Sequence, residues 1–271
     1  MTEFLASLTL GLVQGITEFL PVSSSGHLAL LQQLFGIKDA ALAYDLILHS
    51  ATMLATILYF GRDILRLLAQ WLGGFVSKEG RGSEGWTTGW AVLAGTVVTA
   101  LVAFPMKPLM ERAMGVPWMV GGGLLVTALL LWYGSALPAR RVGRPLSVAG
   151  GAFVGLVQGI ATMPGISRSG STIVSGMRTG LSAPEAFRFS FLLSLPAIAG
   201  ATLLELMALL KTPEGFSALP SGWQLGASIA FLSGFLSLVL LRKLVTLGRW
   251  RPFSVYCAAV GLLSIVLSLW R

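Results

Sequence analysis

Residues 11–27 read GLVQGITEFLPVSSSGH, and residues 155–172 read GLVQGIATMPGISRSGST. The opening six letters are identical, and both runs continue into a proline, a serine-rich stretch and a glycine. Pro21-Val22-Ser23-Ser24-Ser25-Gly26 faces Pro164-Gly165-Ile166-Ser167-Arg168-Ser169-Gly170, with one inserted residue. Chance explains a six-letter match in a chain rich in Leu, Gly and Val, but not the matched continuation. One structural unit is used twice: repeat 1 covers about residues 1–137 and repeat 2 about 146–271 of a single domain.

The surroundings of the two runs are apolar. Hydrophobic residues make up 55% of 271 positions and charged residues 11%, with a mean hydropathy of +0.80. A soluble domain carries about 25% charged residues. The stretches 86–106, 116–137, 186–210, 223–241 and 253–270 are each near the roughly 20 residues a helix needs to cross a bilayer. One such stretch is compatible with a buried core helix; five exclude an ordinary soluble enzyme. The fold class expected is an all-α integral membrane protein, a multi-spanning helical bundle surrounded by membrane lipids.

A formal net charge of +8 would suggest nucleic acid in a soluble domain. Here the positive charges lie between apolar segments, so membrane topology accounts for them and no nucleic-acid partner is expected. Cys257 is the only cysteine, which excludes an internal disulfide and a cysteine-based zinc site. The N-terminus is apolar but has Glu3 where a basic residue would stand, and it is not read as a cleaved signal peptide.

Charge also orients the halves. Take 42–61 as a span, and about 1–35 and 146–180 as hairpins that each enter and leave on one side. One set of connections then holds Arg62, Arg66, Lys78, Arg81, Arg140, Arg141, Arg144, Arg178, Arg188, Arg242, Lys243, Arg249 and Arg251. The other holds Lys107, Arg112, Lys211 and Arg271, with Lys38 near the first hairpin. The excess marks the first side as cytoplasmic. The first hairpin then opens outward and the second inward, an inverted-topology repeat with two re-entrant helical hairpins meeting near the membrane midplane. Such broken segments point to a site at that depth. They survive there only inside protein or around a wet cavity. The basic segment 62–85, with Trp71 and Trp86, reads as a cytoplasmic loop carrying an interfacial helix.

The chemistry-bearing residues lie in the two runs. Gln14 and Glu18 are spaced i, i+4 and share one helix face. Pro21 ends that helix. Ser23, Ser24, Ser25 and Gly26 follow as a hydroxyl-lined turn, and His27 begins the next helix. In the second run Gln158 lies on the helix and Pro164-Gly165 breaks it. Ser167, Arg168, Ser169, Gly170, Ser171 and Thr172 form the turn. A Glu or an Arg at membrane depth costs on the order of 2.5–3.5 kcal/mol and persists when paired or bound to something. Glu18 and Arg168 alone suit a buried ion pair stitching the halves together, but that leaves the serines, the glycine turns and His27 unexplained. A guanidinium binds phosphate bidentately, helix starts add an anion-binding end, and Glu18 and His27 are the acid–base candidates. A diphosphate with an apolar tail uses every part, which suggests hydrolysis of a lipid diphosphate.

TEFLPVSSSGH (17–27) preceded by Gln14, together with PGISRSGST (164–172), closely resembles the undecaprenyl-diphosphate phosphatases, the bacitracin-resistance membrane enzymes of bacteria. The resemblance runs the whole chain. It implies removal of one phosphate from a polyprenyl diphosphate lipid, with the site open to the outer, periplasmic side of the plasma (inner) membrane and the lipid carrier returned to cell-wall synthesis. Carried over by position, Glu18, Ser24, His27 and Arg168 would be catalytic. Gln14, Ser23, Ser25, Gly26, Ser167, Ser169, Gly170 and Thr172 would line the substrate site. The departure is Gln14, where Glu is commoner in the family; an amide cannot exchange a proton, so if the family relies on that position as base or metal ligand, this protein would be slower or would use Glu18 for both tasks. Ser24, His27 and water all remain open as the attacking group. A magnesium or calcium ion held through Glu18 rests on the resemblance alone.

The inverted repeat also suits a transporter or flippase of polyprenyl phosphate lipids, the alternative function. Outside the motifs, His49 reads as a helix-packing histidine, Asp45 as a partner for an arginine or the outer interface, and Glu205 as locally hydrogen-bonded. Trp132, Tyr133, Trp250 and Trp270 suit an interfacial belt. The small-residue surface at Gly121-Gly122-Gly123 is available to a second copy of the chain, a homodimer.

Overall fold

The computed structural model describes residues 3–35, 41–138, 145–211, 216 and 219–270. Of the charges used for orientation, Lys38, Arg140, Arg141, Arg144 and Arg271 lie outside the described residues. The described chain folds into helices α1 (Glu3–Phe19), α2 (Ser24–Phe35), α3 (Ala41–Val76), α4 (Lys78–Arg81), α5 (Glu84–Met114), α6 (Pro117–Gly134), α7 (Val148–Ile160), α8 (Arg168–Arg178), α9 (Ala183–Leu209), α10 (Trp223–Thr246) and α11 (Arg251–Leu269). Six of them (α3, α5, α6, α9, α10 and α11) are long and apolar enough to cross a membrane. Leu101, Leu129 and Leu232 are 60–73% exposed on the outside, while Gln14, Glu18, Ser169 and Thr172 are buried within. The polarity is that of a multi-pass membrane protein, whose surface faces hydrocarbon.

Three local expectations are corrected. Residues 62–76 continue α3 instead of forming a loop. Ile64, Leu67, Leu68 and Trp71 keep an apolar residue on one helix face past Arg62, and no proline interrupts them. At 1.5 Å per residue α3 is roughly 54 Å long. A tight turn through α4 then returns the chain into α5. There Trp71, Phe75, Trp86 and Trp90 pack edge to face. The serine-rich stretches are not free turns either: α2 starts at Ser24 and α8 at Arg168. Ser23 and Ser167 cap them by accepting from Gly26 N (3.3 Å) and Gly170 N (3.2 Å). Trp250 is 1% exposed and belongs to the core, whereas Trp132, Tyr133 and Trp270 are exposed.

The repeated GLVQGI packs the same way twice. Gly11 and Gly15 on α1 meet Gly226 and Ala230 on α10, and Gly155 and Gly159 on α7 meet Gly95 and Thr99 on α5. Glycines four apart let two helix backbones touch, which is how helices associate where hydrocarbon surrounds them. Gly121 and Gly123 are used inside the chain, against Gly261 and Gly165, so the expected surface for a second copy is reduced to Gly122.

The breaks themselves touch. A methyl group on Gly26 would stand 3.0 Å from Gly165 Cα, and one on Gly170 would stand 3.1 Å from Pro21 Cβ. The open end of the α1–α2 pair lies by the start of α3, where Tyr44 donates to Ser7 O at 2.7 Å. The open end of the α7–α8 pair lies by the starts of α5 and α9, with Gly151 on Ala91 and Gly176 on Ala186.

Candidate active site

Where the breaks meet, side chains from both motifs converge on Glu18. It projects from the last turn of α1 and is 6% exposed. Gln14, one turn earlier and fully buried, donates from Nε2 to Glu18 Oε2 at 3.3 Å. Ser24, the first residue of α2, donates its hydroxyl to the same oxygen at 2.5 Å. Arg168, the first residue of α8, donates to Oε1 and forms an ion pair with Glu18. The capping serines therefore place Ser24 and Arg168 at equivalent positions of two helices, aimed at the two oxygens of one carboxylate.

The remaining motif residues shape the walls. Ser23 and Ser25 hydroxyls lie 3.4 Å apart, and Ser167 and Ser169 hydroxyls 3.3 Å apart. Gly26 and Gly170 lie at the junction of the breaks. On α6, Thr127 pins the second break: its hydroxyl donates to Gly165 O at 2.7 Å and accepts from Ser167 N at 2.8 Å. Thr172 is turned to α9, with its hydroxyl 2.5 Å from that of Ser190. The structure does not bring it to Glu18.

The two histidines are placed differently from expectation. His27 has Nδ1 2.8 Å from Ser23 O and Nε2 2.8 Å from the Tyr256 hydroxyl on α11, and neither nitrogen meets Glu18 or Arg168. His49 stands beside the cluster, with Nε2 3.9 Å from Glu18 Oε2 and Nδ1 2.9 Å from Asp45 O. Asp45 accepts from Gln32 at 2.8 and 3.1 Å, not from an arginine. Tyr256 carries no signal in the sequence beyond an aromatic residue in a span. His49 lies in LILHSAT, where an apolar setting suggests packing.

Chemically the cluster offers one strong cation, one carboxylate with a hydroxyl held on it, and two helix N-termini that supply anion-binding amides. The side-chain oxygen Gln14 Oε1 is buried without a hydrogen-bond partner. Glu18 and Gln14 Oε1 are hard oxygen donors of the type that magnesium or calcium takes beside phosphate oxygens. Among the described residues no group of three or more His, Cys, Asp or Glu is arranged to hold a metal. An ion here would depend mainly on the phosphates it accompanied.

Residues 7–263 match the family model described as bacitracin resistance protein BacA. The chain is 39% identical over 266 residues to the undecaprenyl-diphosphatase of Desulfosudis oleivorans, covering 96% of each chain. It is 38% identical to that of Desulforapulum autotrophicum, over 97% of this chain and 98% of the relative. With that of Methanosphaera stadtmanae the identity is 36%, over 99% of each.

Proposed function

The chain belongs to the bacitracin resistance protein BacA family, and on that premise we propose that it hydrolyses undecaprenyl diphosphate to undecaprenyl phosphate and inorganic phosphate. This reaction recycles the lipid carrier of cell-wall synthesis and confers bacitracin resistance. The observation that carries the reading is the convergence of Ser24 and Arg168 on Glu18. A polyprenyl phosphate transporter would need the anion donors, but not a hydroxyl held on a carboxylate.

Arg168 binds the terminal phosphate and stabilises the charge that develops in transfer. The leading amides of α2 and α8 and the paired serine hydroxyls supply further donors. Ser24 attacks the terminal phosphorus while its proton passes to Glu18, the base within 2.5 Å. The bond to the bridging oxygen breaks and undecaprenyl phosphate leaves. Water then attacks the phosphorus of the phosphoserine; the bond to Ser24 Oγ breaks as Glu18 returns its proton to that oxygen, and both water protons leave with the inorganic phosphate as dihydrogen phosphate. A divalent cation held by Glu18, Gln14 Oε1 and the diphosphate would supply charge neutralisation.

We read α1–α2 and α7–α8 as re-entrant hairpins of an inverted repeat in one domain of the bacterial plasma membrane. The open ends of the two pairs beside different helix starts, and the reciprocal contacts of the breaks, support this. The bias of basic residues supports a site open to the periplasmic side. The test is phosphate release from a prenyl diphosphate by purified protein in detergent, with Arg168→Ala and Glu18→Gln alongside. Release by the wild type and loss in both variants is expected. No release by the wild type with magnesium or calcium present overturns the reading.

A further inference from the structure

The Ser23 backbone is strained: at φ 70° it is the one non-glycine residue in the left-handed region among the described residues. It immediately precedes Ser24 and sets the direction in which α2 starts. Its carbonyl accepts twice from His27, from the backbone N at 3.2 Å and from Nδ1 at 2.8 Å. A carbonyl oxygen only accepts, so the ring proton is on Nδ1, and Nε2 receives the Tyr256 hydroxyl at 2.8 Å. The two rings lie nearly parallel, 7° apart with centroids at 5.6 Å. They sit at an otherwise mostly apolar groove of about 440 Å³ between α1, α2 and α11, lined by Val13, Ile16, Leu30, Leu31 and Val260. In such surroundings each polar group depends on its partner.

We propose that Tyr256 and His27 are positioning residues, a brace running from α11 to the Ser23 carbonyl that keeps Ser24 aimed at Glu18. His27 acts as a hydrogen-bond donor to the backbone and takes no proton from the reacting groups. Tyr256 locks the ring in the orientation that makes this donation. The inference rests on the phosphatase reading above and on Ser24 acting in it.

Steady-state phosphate release by the full chain in detergent tests the brace. His27→Ala loses about 10²-fold in kcat, the cost of a small misplacement of a reacting group. His27→Asn puts an amide N–H near the place of Nδ1–H and recovers to within about tenfold of wild type. Tyr256→Phe keeps the ring but not the hydroxyl and lowers kcat about tenfold, the usual scale for an orienting partner, with KM unchanged. If His27→Asn is as inactive as His27→Ala while both remain folded, His27 transfers a proton and the brace is overturned. Full kcat in Tyr256→Phe, or a raised KM without loss of kcat, also overturns it. If the wild type releases phosphate and Ser24→Ala retains full activity, the Ser24 reading fails first and separately.

Discussion

Gly26 and Gly165 are in backbone contact, so close that a methyl group on Gly26 would stand 3.0 Å from Gly165 Cα and force the other break to give way. Gly26 lies in the first turn of the helix after one break, and Gly165 lies in the other break. The pair Gly170 and Pro21 makes the reciprocal contact. These approaches bring Arg168 within reach of Glu18, although 150 residues separate them.

Alanine at Gly26 should therefore crowd the other break, and alanine at Gly165, whose methyl group would run into Val120 O, should push the second break away from α6. Gly165 also has φ +88°, where a side chain costs roughly 1–2 kcal/mol. Phosphate release in both variants is expected to fall by about 10²-fold, the scale of a small displacement in an active site. Gly61→Ala and Gly122→Ala, which meet open space, should retain activity, and equal losses in all four would count against the contact.

Arg168→Lys keeps a charge but gives up the planar fork. Activity is expected to fall at least about tenfold, and Arg168→Ala at least about 10²-fold, the range for losing a donor that stabilises the transition state. The check is kcat/KM with a soluble short-chain prenyl diphosphate, and wild-type activity in Arg168→Lys would argue against bidentate binding.

Ser24→Ala removes the hydroxyl held on Glu18 and should abolish turnover beyond about 10²-fold. Acid quenching of the wild type during turnover of labelled substrate should yield a phosphoserine peptide containing Ser24. A labelled inorganic phosphate burst with no labelled peptide would mean that water attacks directly.

Gln14→Glu places a second carboxylate on Glu18, where the amide now donates at 3.3 Å. Like charges at that distance repel, so without added divalent cation the variant should be slower than wild type. Magnesium should restore it, and the difference between chelator and magnesium should be larger than for wild type. A variant indifferent to chelator would remove Gln14 from any cation site.

Gly15→Leu and Gly155→Leu each force a side chain between backbones in contact, α1 on α10 and α7 on α5. Overpacking costs typically about 1–3 kcal/mol, and thermal unfolding in detergent should shift down in both. An unchanged midpoint in either variant would place that helix elsewhere.

Much of this is legible in the sequence because the residues involved have few substitutes. A proline or glycine that breaks a helix, a serine that caps one and an arginine in an apolar chain all leave local marks, so both motifs and the Glu18–Arg168 candidates stand out. The length of α3 is not legible, because Arg62 and Arg66 read as an exit from the membrane, while Arg66 and Arg188 in fact each pair with both Asp63 and Glu84. His27 reads as catalytic from its place in the motif, yet its ring is held by Ser23 and Tyr256.

By itself the sequence determined an all-helical, lipid-facing chain with two copies of a broken polar segment, since hydropathy and helix-breaking residues act within a few positions of where they stand. Only the tertiary structure decided which side chains meet. The partnership of Ser24 and Arg168 on Glu18, of His27 with Tyr256 and of His49 with the cluster depends on helix packing between distant segments. Packing direction is set by backbone contacts such as Gly26 on Gly165, which no local pattern encodes.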